Sequence, residues 1–403
     1  MKGAYKLKKV LVVGAGFLQS FVIKKAKELG YYVYAIDMDP NAVGFKYADE
    51  HELINIVDKE AACLYAEEKC VDGVLTAATD YGVLTVSYIA EKMNLPGINF
   101  NSAQLIKNKY EVRRRLYEAG ADDTGLSYQI ASEDDIKSAT EKVVFPVMVK
   151  PCDGSGSRGA ARVDSLDQFA DACRTAMSCS ITRKATVEPF IDGVEYGVES
   201  FVCNGEAHIL AVMKKWMTKP PYYAELGHAV PSGLSLEIEN KIRGCVAKAI
   251  EVLGINFGSV NMDLLLTEKG SVHIVDIGAR MGGNLIGSHI IPMGTGVDYI
   301  GNIVRASVGD EVSFEPKTEK KCVATRLLAL TPGKIKALPD FDSYLNENTF
   351  IEHHLEIGNT INEYHTNLDG CGYVVCTADD MTVASECAEK LKNKIDSEIV
   401  REN

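Results

Sequence analysis

Along the first hundred residues, short apolar runs alternate with helical patterns of mixed polarity. KKVLVVGAG, YYVYAID, HELINIV and DGVLTAAT are rich in Val, Ile, Leu and Tyr, are bounded by Gly or Asp, and predict strands. FLQSFVIKKAKELG, closed by Gly30, and YGVLTVSYIAEKMNLPG, closed by Pro96-Gly97, predict helices. Strand and helix in strict alternation predict a parallel, doubly wound sheet. After a helix around Lys109–Ala119 the character changes. FPVMVKP, GAARVD, ATVEPFI, YGVESFVCN and EAHILAVM predict a mostly antiparallel sheet, with helices from Ser165 and over Leu236–Leu253. SVNMDLLL and SVHIVDIGAR follow, and the tail from about Lys320 predicts a separate α+β piece.

A chain of 403 residues exceeds one ordinary domain, so two or three compact units are expected. The formal net charge of -13 argues against a nucleic-acid partner, whose phosphates demand a basic surface. No apolar run approaches the roughly 20 residues of a membrane span. MKGAYKLKKVLVVGAGF has the charge order of a signal peptide, but its apolar run is short and ends in a glycine turn, so it predicts the first strand. The eleven cysteines show no C-x-x-C spacing, which suits a reducing cytoplasm and argues against a structural zinc.

Gly14-Ala15-Gly16-Phe17-Leu18-Gln19 follows a strand and opens a helix, with Asp37 ending the next strand. That is most of a dinucleotide fingerprint, but Gln19 replaces its third glycine. The loop either turns the chain or touches a ligand.

The stronger signals lie further on. Lys150 ends the apolar strand FPVMVKP, where a buried lysine needs an anion. Asp153-Gly154-Ser155-Gly156-Ser157-Arg158-Gly159 comes next; small residues let backbone N–H groups approach a phosphate, or simply make a flexible connection. Val187-Glu188-Pro189-Phe190-Ile191-Asp192-Gly193-Val194-Glu195 reads as a strand and turn. Its end can offer backbone groups to an adenine edge, and Glu195 can accept from ribose hydroxyls.

Residues 258–280, GSVNMDLLLTEKGSVHIVDIGAR, carry the most information. If Lys269-Gly270 form a two-residue hairpin turn, Asp263 lies opposite Asp276, Leu265 opposite Ile274 and Asn261 opposite Gly278, all on one face. The other face, Val260, Met262, Leu264 and Leu266 opposite Ala279, Ile277, Val275 and His273, is nearly all apolar and places His273 in the core. Two aspartates at cross-strand distance repel unless a cation joins them. Oxygen ligands on a rigid hairpin suit Mg²⁺. Arg280, one short step beyond, can stabilise a transferring phosphoryl group or hold a substrate carboxylate, and Met281-Gly282-Gly283-Asn284 brings backbone close to a ligand.

In order and spacing these motifs resemble the ATP-grasp superfamily over nearly the whole chain. Within it they are most similar to the L-amino-acid ligases and related carboxylate–amine ligases. That nearer likeness rests on Glu225-Leu226-Gly227-His228-Ala229-Val230-Pro231-Ser232, on Gly278-Ala279-Arg280-Met281-Gly282-Gly283, and on TRLLALTPGKI with GCGYVVCTADD in the tail. The resemblance implies an N-terminal α/β domain over 1–108, an ATP-grasp domain over 109–319 with a lid subdomain at about 126–195, and a C-terminal α+β subdomain over 320–403. It implies that Lys109 and Lys150 hold the ATP phosphates beneath a lid of Gly154, Ser155, Gly156 and Ser157. Glu188 with the backbone of Pro189, Phe190 and Ile191 would border adenine, Glu195 would bind ribose, and Leu265 would pack under the base.

Asp263 and Asp276 would ligate magnesium, as two ions that manganese can replace. Glu225, His228, Gly283 and Asn284 would grip the substrate, with Arg280 at the reacting phosphoryl or the substrate carboxylate. The chain departs from the family in having Asp at both metal positions and Gly278 where Asn is common; Asn261 is the expected compensation. The implied reaction forms an acyl phosphate and then an amide, from a small-molecule carboxylate and an amine. An ATP-grasp carboxylase or purine-pathway-like enzyme is the alternative. The resemblance is compatible with a homodimer.

Overall fold

The computed structural model describes residues 7–154, 158–220 and 222–402. Its N-terminal strands run Glu50–Leu53, Tyr32–Asp37, Lys9–Val13 and Gly73–Leu75 across one sheet, all parallel. Both faces are covered, as a parallel sheet requires. Val10, Val12, Val33 and Ala35 pack against the helix Phe17–Glu28, and Leu11, Val13, Tyr34 and Ile36 pack on the opposite side with Ala62, Tyr65 and Ile89. The helix Val83–Met93 stops at Asn94, which takes the left-handed conformation (φ 54°), before the expected Pro96-Gly97 is reached.

Residues 128–189 form a four-stranded antiparallel sheet, ordered Tyr128–Ile130, Ala185–Pro189, Val147–Pro151 and Ala161–Val163. The helices Glu133–Thr140 and Leu166–Cys179 share its core through Ile136, Phe169 and Cys173.

The largest sheet has eight strands, each antiparallel to its neighbours. Its order is Val272–Gly278, Gly258–Leu266, Val194–Cys203, Glu206–Met217, Glu225–Val230, Cys322–Leu327, Gly372–Ala378 and Thr349–His353. The helix Leu236–Val252 covers one face with Ile242, Val246 and Ala249. The last three strands come from the tail, which is therefore not separate: it completes the sheet that carries the hairpin.

Candidate active site

Three strands of the large sheet, Val194–Cys203, Gly258–Leu266 and Val272–Gly278, line up side chains in rows. Glu195, Leu265 and His273 make the first row; Gly197, Asp263 and Asp276 the second; Glu199, Asn261 and Gly278 the third. Because side chains alternate along a strand, the rows share one face and successive rows lie about 7 Å apart. Asp263 opposite Asp276 and Asn261 opposite Gly278 are the expected pairs.

Nearer the turn the expected register is wrong by one. Thr267 and Ser271 bracket a three-residue loop, Glu268-Lys269-Gly270, in which Gly270 has φ +77°. An irregularity between Asp263 and Leu264 then restores the register. Leu265 consequently faces His273 and not Ile274, and His273 is buried as expected, beside Thr124 at the edge of the cleft.

The cleft encloses about 620 Å³, within the range that buries a small ligand. Its lining includes Lys150, Glu188, Pro189, Phe190, Ile191, Glu195, Asp263 and Leu265, and also Glu225, Arg280, Gly283 and Asn284. Lys109, Asp276 and Gly154 line an adjoining small hollow beside Asp80. Ser155, Gly156 and Ser157 lie outside the described residues. His228 is buried at 1% exposure, with Nε2 3.8 Å from a Glu225 oxygen. A slip of register between Trp216 and Met217 brings Glu225 and His228, three residues apart, to the same side. Burial pushes the His228 imidazole down to about 4, so it stays neutral beside the carboxylate.

The lysines are drawn together by the backbone. Asn108 caps the helix Lys109–Glu118, and Lys109 N–H donates to Cys152 O at 2.7 Å, tying that helix start to the strand of Lys150. Lys150 Nζ is 3.2 Å from Glu188, which also meets buried Arg113 at 3.7 Å. Burial works to raise the Glu188 carboxyl, but Lys150 and Arg113 hold it below the usual range. Phe190 N–H donates to Pro146 O at 3.1 Å and Pro189 has no N–H, so of these three residues Ile191 is left to donate to a purine edge.

The aspartates do not face each other uncompensated. Lys109 pairs with Asp276. Lys215, which the sequence reading passed over, lies 2.7 Å from Asp263 and 2.6 Å from both Glu195 and Glu225. Three carboxylates around one ammonium leave a local charge of about -2. Burial, with Glu195 and Glu225 nearby, pushes the Asp263 carboxyl up, against the pull of Lys215. Glu225 is also penalised by burial, yet Lys215 and the Asn367 side chain hold it down, to about 2.

Oxygens of Glu195, Glu225 and Asp263 lie within 4.8 Å of one another, a spacing that fits a divalent cation, and Asp276 adds a carboxylate one strand away. Lys215 was legible by the argument used for Lys150, a lysine inside the apolar strand HILAVMKKWM.

Two further carboxylates were missed. Asp80, just beyond the fourth parallel strand, grips Arg280 with two contacts of 3.1 Å, from Nε and Nη2. Burial works to raise the Asp80 carboxyl, but Arg280 and Lys107 hold it low. Its position, at the carboxyl edge of a parallel sheet, was the available signal. Glu199 is wholly buried beneath Asn261, and burial pushes its carboxyl up to about 7. Asn261 therefore does not stand free as a substitute metal ligand; its amide bridges Glu199 and Arg280.

A Cβ at Gly278 would stand 2.9 Å from Arg280 Cζ, so the guanidinium fills the space a side chain would need. Gly278→Asn is expected to dislodge Arg280 from Asp80 and lower turnover about a hundredfold while ADP binding persists. Calorimetry of ADP binding beside steady-state kinetics checks this, and wild-type turnover would refute it.

The N-terminal glycine loop is occupied by its own chain. Ala15 N–H donates to Asp37 at 2.9 Å, and the Gln19 side chain folds back so that its Oε1 would stand 2.9 Å from a Cβ at Gly16. A dinucleotide pyrophosphate would have to displace both.

Similarity to known proteins extends along the chain. Residues 143–288 match the ATP-grasp domain family. An uncharacterized protein of Sinorhizobium fredii is 23% identical over 81% of this chain and 68% of its own length. Human carnosine synthase 1 is 24% identical over 82% of this chain, which spans only 43% of that enzyme. Among solved structures, an L-amino acid ligase from Bacillus licheniformis superposes with a TM-score of 0.83 at 21% identity, covering 99% of this chain and 100% of that one. A phosphoribosylglycinamide synthetase from Anaerococcus prevotii gives 0.80 at 22%, covering 98% and 100%. Residues 143–288 thus match an ATP-grasp domain, in a chain whose fold along its length is shared with that L-amino acid ligase and that phosphoribosylglycinamide synthetase.

Proposed function

We propose that the chain is an ADP-forming ligase that uses ATP to join a small carboxylate, amino-acid-like, to an amine. The order of groups along one strand supports this most directly. Leu265, Asp263 and Asn261 lead in two-residue steps from the Pro189–Ile191 strand end to Arg280, with Lys215 and Glu225 beside the middle row. A nucleotide at the Leu265 end would place its terminal phosphate near Asp263, and a carboxylate held by Arg280 would meet it there.

In this reading Lys150 and Lys109 bind phosphate oxygens, Ile191 N–H meets the adenine edge, and Glu195 accepts from ribose. Glu225, held by Asn367 at 2.6 Å and by Asn284, receives the substrate ammonium. The substrate carboxylate attacks the γ-phosphorus and ADP leaves; the amine then attacks the acyl carbon and phosphate leaves. Arg280 steadies the growing negative charge, so the protein's contribution is mainly positioning and electrostatics. Magnesium, held by Asp263 and Asp276, would neutralise the phosphate charge.

A phosphorylated substrate, as the purine-pathway alternative requires, fits less well. It would meet the acidic Glu195–Glu225–Asp263 group, which repels a phosphate dianion. All eleven cysteines are thiols, which is consistent with a reducing cytoplasm. Among the described residues no helix is long and apolar enough to cross a membrane. A homodimer belongs to the same proposal, with sedimentation as its test.

ADP release is expected to require both a carboxylate and an amine. Amino acids tested pairwise for ATP-dependent phosphate release provide the measurement; turnover independent of carboxylate would point to a different ATP-grasp chemistry.

A further inference from the structure

Beneath the third row lies a carboxylate that no step above uses. Glu199 is 0% exposed, and among the described residues no cation pairs with it directly. One oxygen accepts from Gly282 N–H at 3.0 Å and from the Tyr299 hydroxyl; the other accepts from Asn261 Nδ2 at 2.9 Å. Asn261 Oδ1 in turn accepts from Arg280 Nη1 at 3.4 Å. Burying an unpaired carboxylate is costly, and an apolar side chain would fill the space more cheaply.

We propose that Glu199 is a positioning residue for Arg280, acting through Asn261 and through the backbone of Gly282. An ionised carboxylate only accepts hydrogen bonds, at both oxygens. With both used in this way, Asn261 must turn its NH₂ inward and its carbonyl toward the guanidinium. Glutamine cannot reproduce this. Its single carbonyl would serve Gly282 and Tyr299, leaving its NH₂ against the NH₂ of Asn261. Relief of that clash turns Asn261 over and presents a donor to Arg280, and the contact is lost. The Gly282 bond ties the same carboxylate to the turn that follows Arg280, where a Cβ at Gly282 would come within 3.0 Å of Glu199 Oε2.

The kinetic part of the test rests on the carboxylate–amine reading; the structural part does not. Assayed near pH 8, above the point to which burial lifts the Glu199 carboxyl, Glu199→Gln is expected to lose about ten- to a hundredfold in kcat/KM for the carboxylate. Affinity for ADP, measured by calorimetry, should change less than about twofold. Adding Asn261→Asp to Glu199→Gln restores an acceptor facing Arg280 and should recover most of the loss, which a merely structural role does not foresee.

Crystal structures of the two variants give a readout free of substrate: Arg280 leaves residue 261 in the single variant and returns in the double. Retained contact in Glu199→Gln overturns the proposal whatever the substrates prove to be. So does an unrescued double variant, or a loss shared equally by ADP binding. If Glu199→Gln does not fold, Asn261→Ala breaks the same chain at its middle, and unchanged Arg280 geometry with unchanged kcat/KM overturns the proposal. Absence of carboxylate-dependent turnover in the wild type would refute the functional reading alone.

Discussion

Replacing Lys215 with methionine is expected to cost about 3–5 kcal/mol of folding stability at neutral pH, the scale of a broken buried ion pair. The side chain is 1% exposed and serves three carboxylates, so its loss leaves Glu195, Glu225 and Asp263 facing one another with no cation. The sign of the pH dependence follows. Crowded carboxyls without their ammonium have folded-state pKa values raised above the unfolded ones. The stability they contribute is then present at low pH and lost as pH rises. The deficit of the variant should shrink toward pH 5 and be full by pH 8. In the wild type the Lys215 ammonium is itself held well above its ordinary value, so its contribution persists until strongly alkaline pH. Because the three oxygens lie within 4.8 Å, millimolar magnesium or calcium should restore more stability to the variant than to the wild type. Denaturant unfolding at several pH values, with and without the cation, measures both effects. A variant as stable as wild type at pH 8 and indifferent to metal would sink the account.

Asp276→Asn and Lys150→Ala are each expected to abolish ATP turnover, by about a thousandfold or more, with the fold intact. The two act on different partners of the same phosphate group. Asp276→Asn removes one of the proposed metal ligands and releases Lys109. Lys150→Ala removes the proposed phosphate contact, and Glu188 keeps Arg113 as its partner, which is why the fold should survive. Circular dichroism with ATPase assay is the check, and normal turnover in either variant would break the site assignment.

Much of this site could be read from residue order because strand alternation is a local property. Asp263 and Asp276 each sit at alternating positions whose face the pattern gives, and Lys150 betrays itself by its apolar neighbours. The error at Leu265 has an equally local cause. A three-residue loop and a compensating irregularity cancel by Asp263, so the pattern looks regular at the aspartates and is shifted by one beside the turn. What stayed hidden depends on topology. Lys215, Glu199 and Asp80 lie 48, 62 and 200 residues from Asp263, Asn261 and Arg280, the groups they serve. Only the order of strands in the large sheet, and the seating of the N-terminal sheet beside it, brings them together. The tail was misjudged for the same reason, since no periodicity tells a strand which sheet it will join.

The place of that tail has a consequence for how such a chain can vary. The strand Glu225–Val230 is an interior strand only because Cys322–Leu327 pairs with it, and Glu225 keeps its orientation through Asn367 and Tyr364. The wall of the cleft that carries Glu225 is therefore shared between two distant stretches of sequence. On the proposed function, substitutions in the last eighty or so residues can retune what the cleft accepts while Lys109 and Lys150 stay untouched, and loss of that stretch would strip a hydrogen-bonded neighbour from the strand Glu225–Val230.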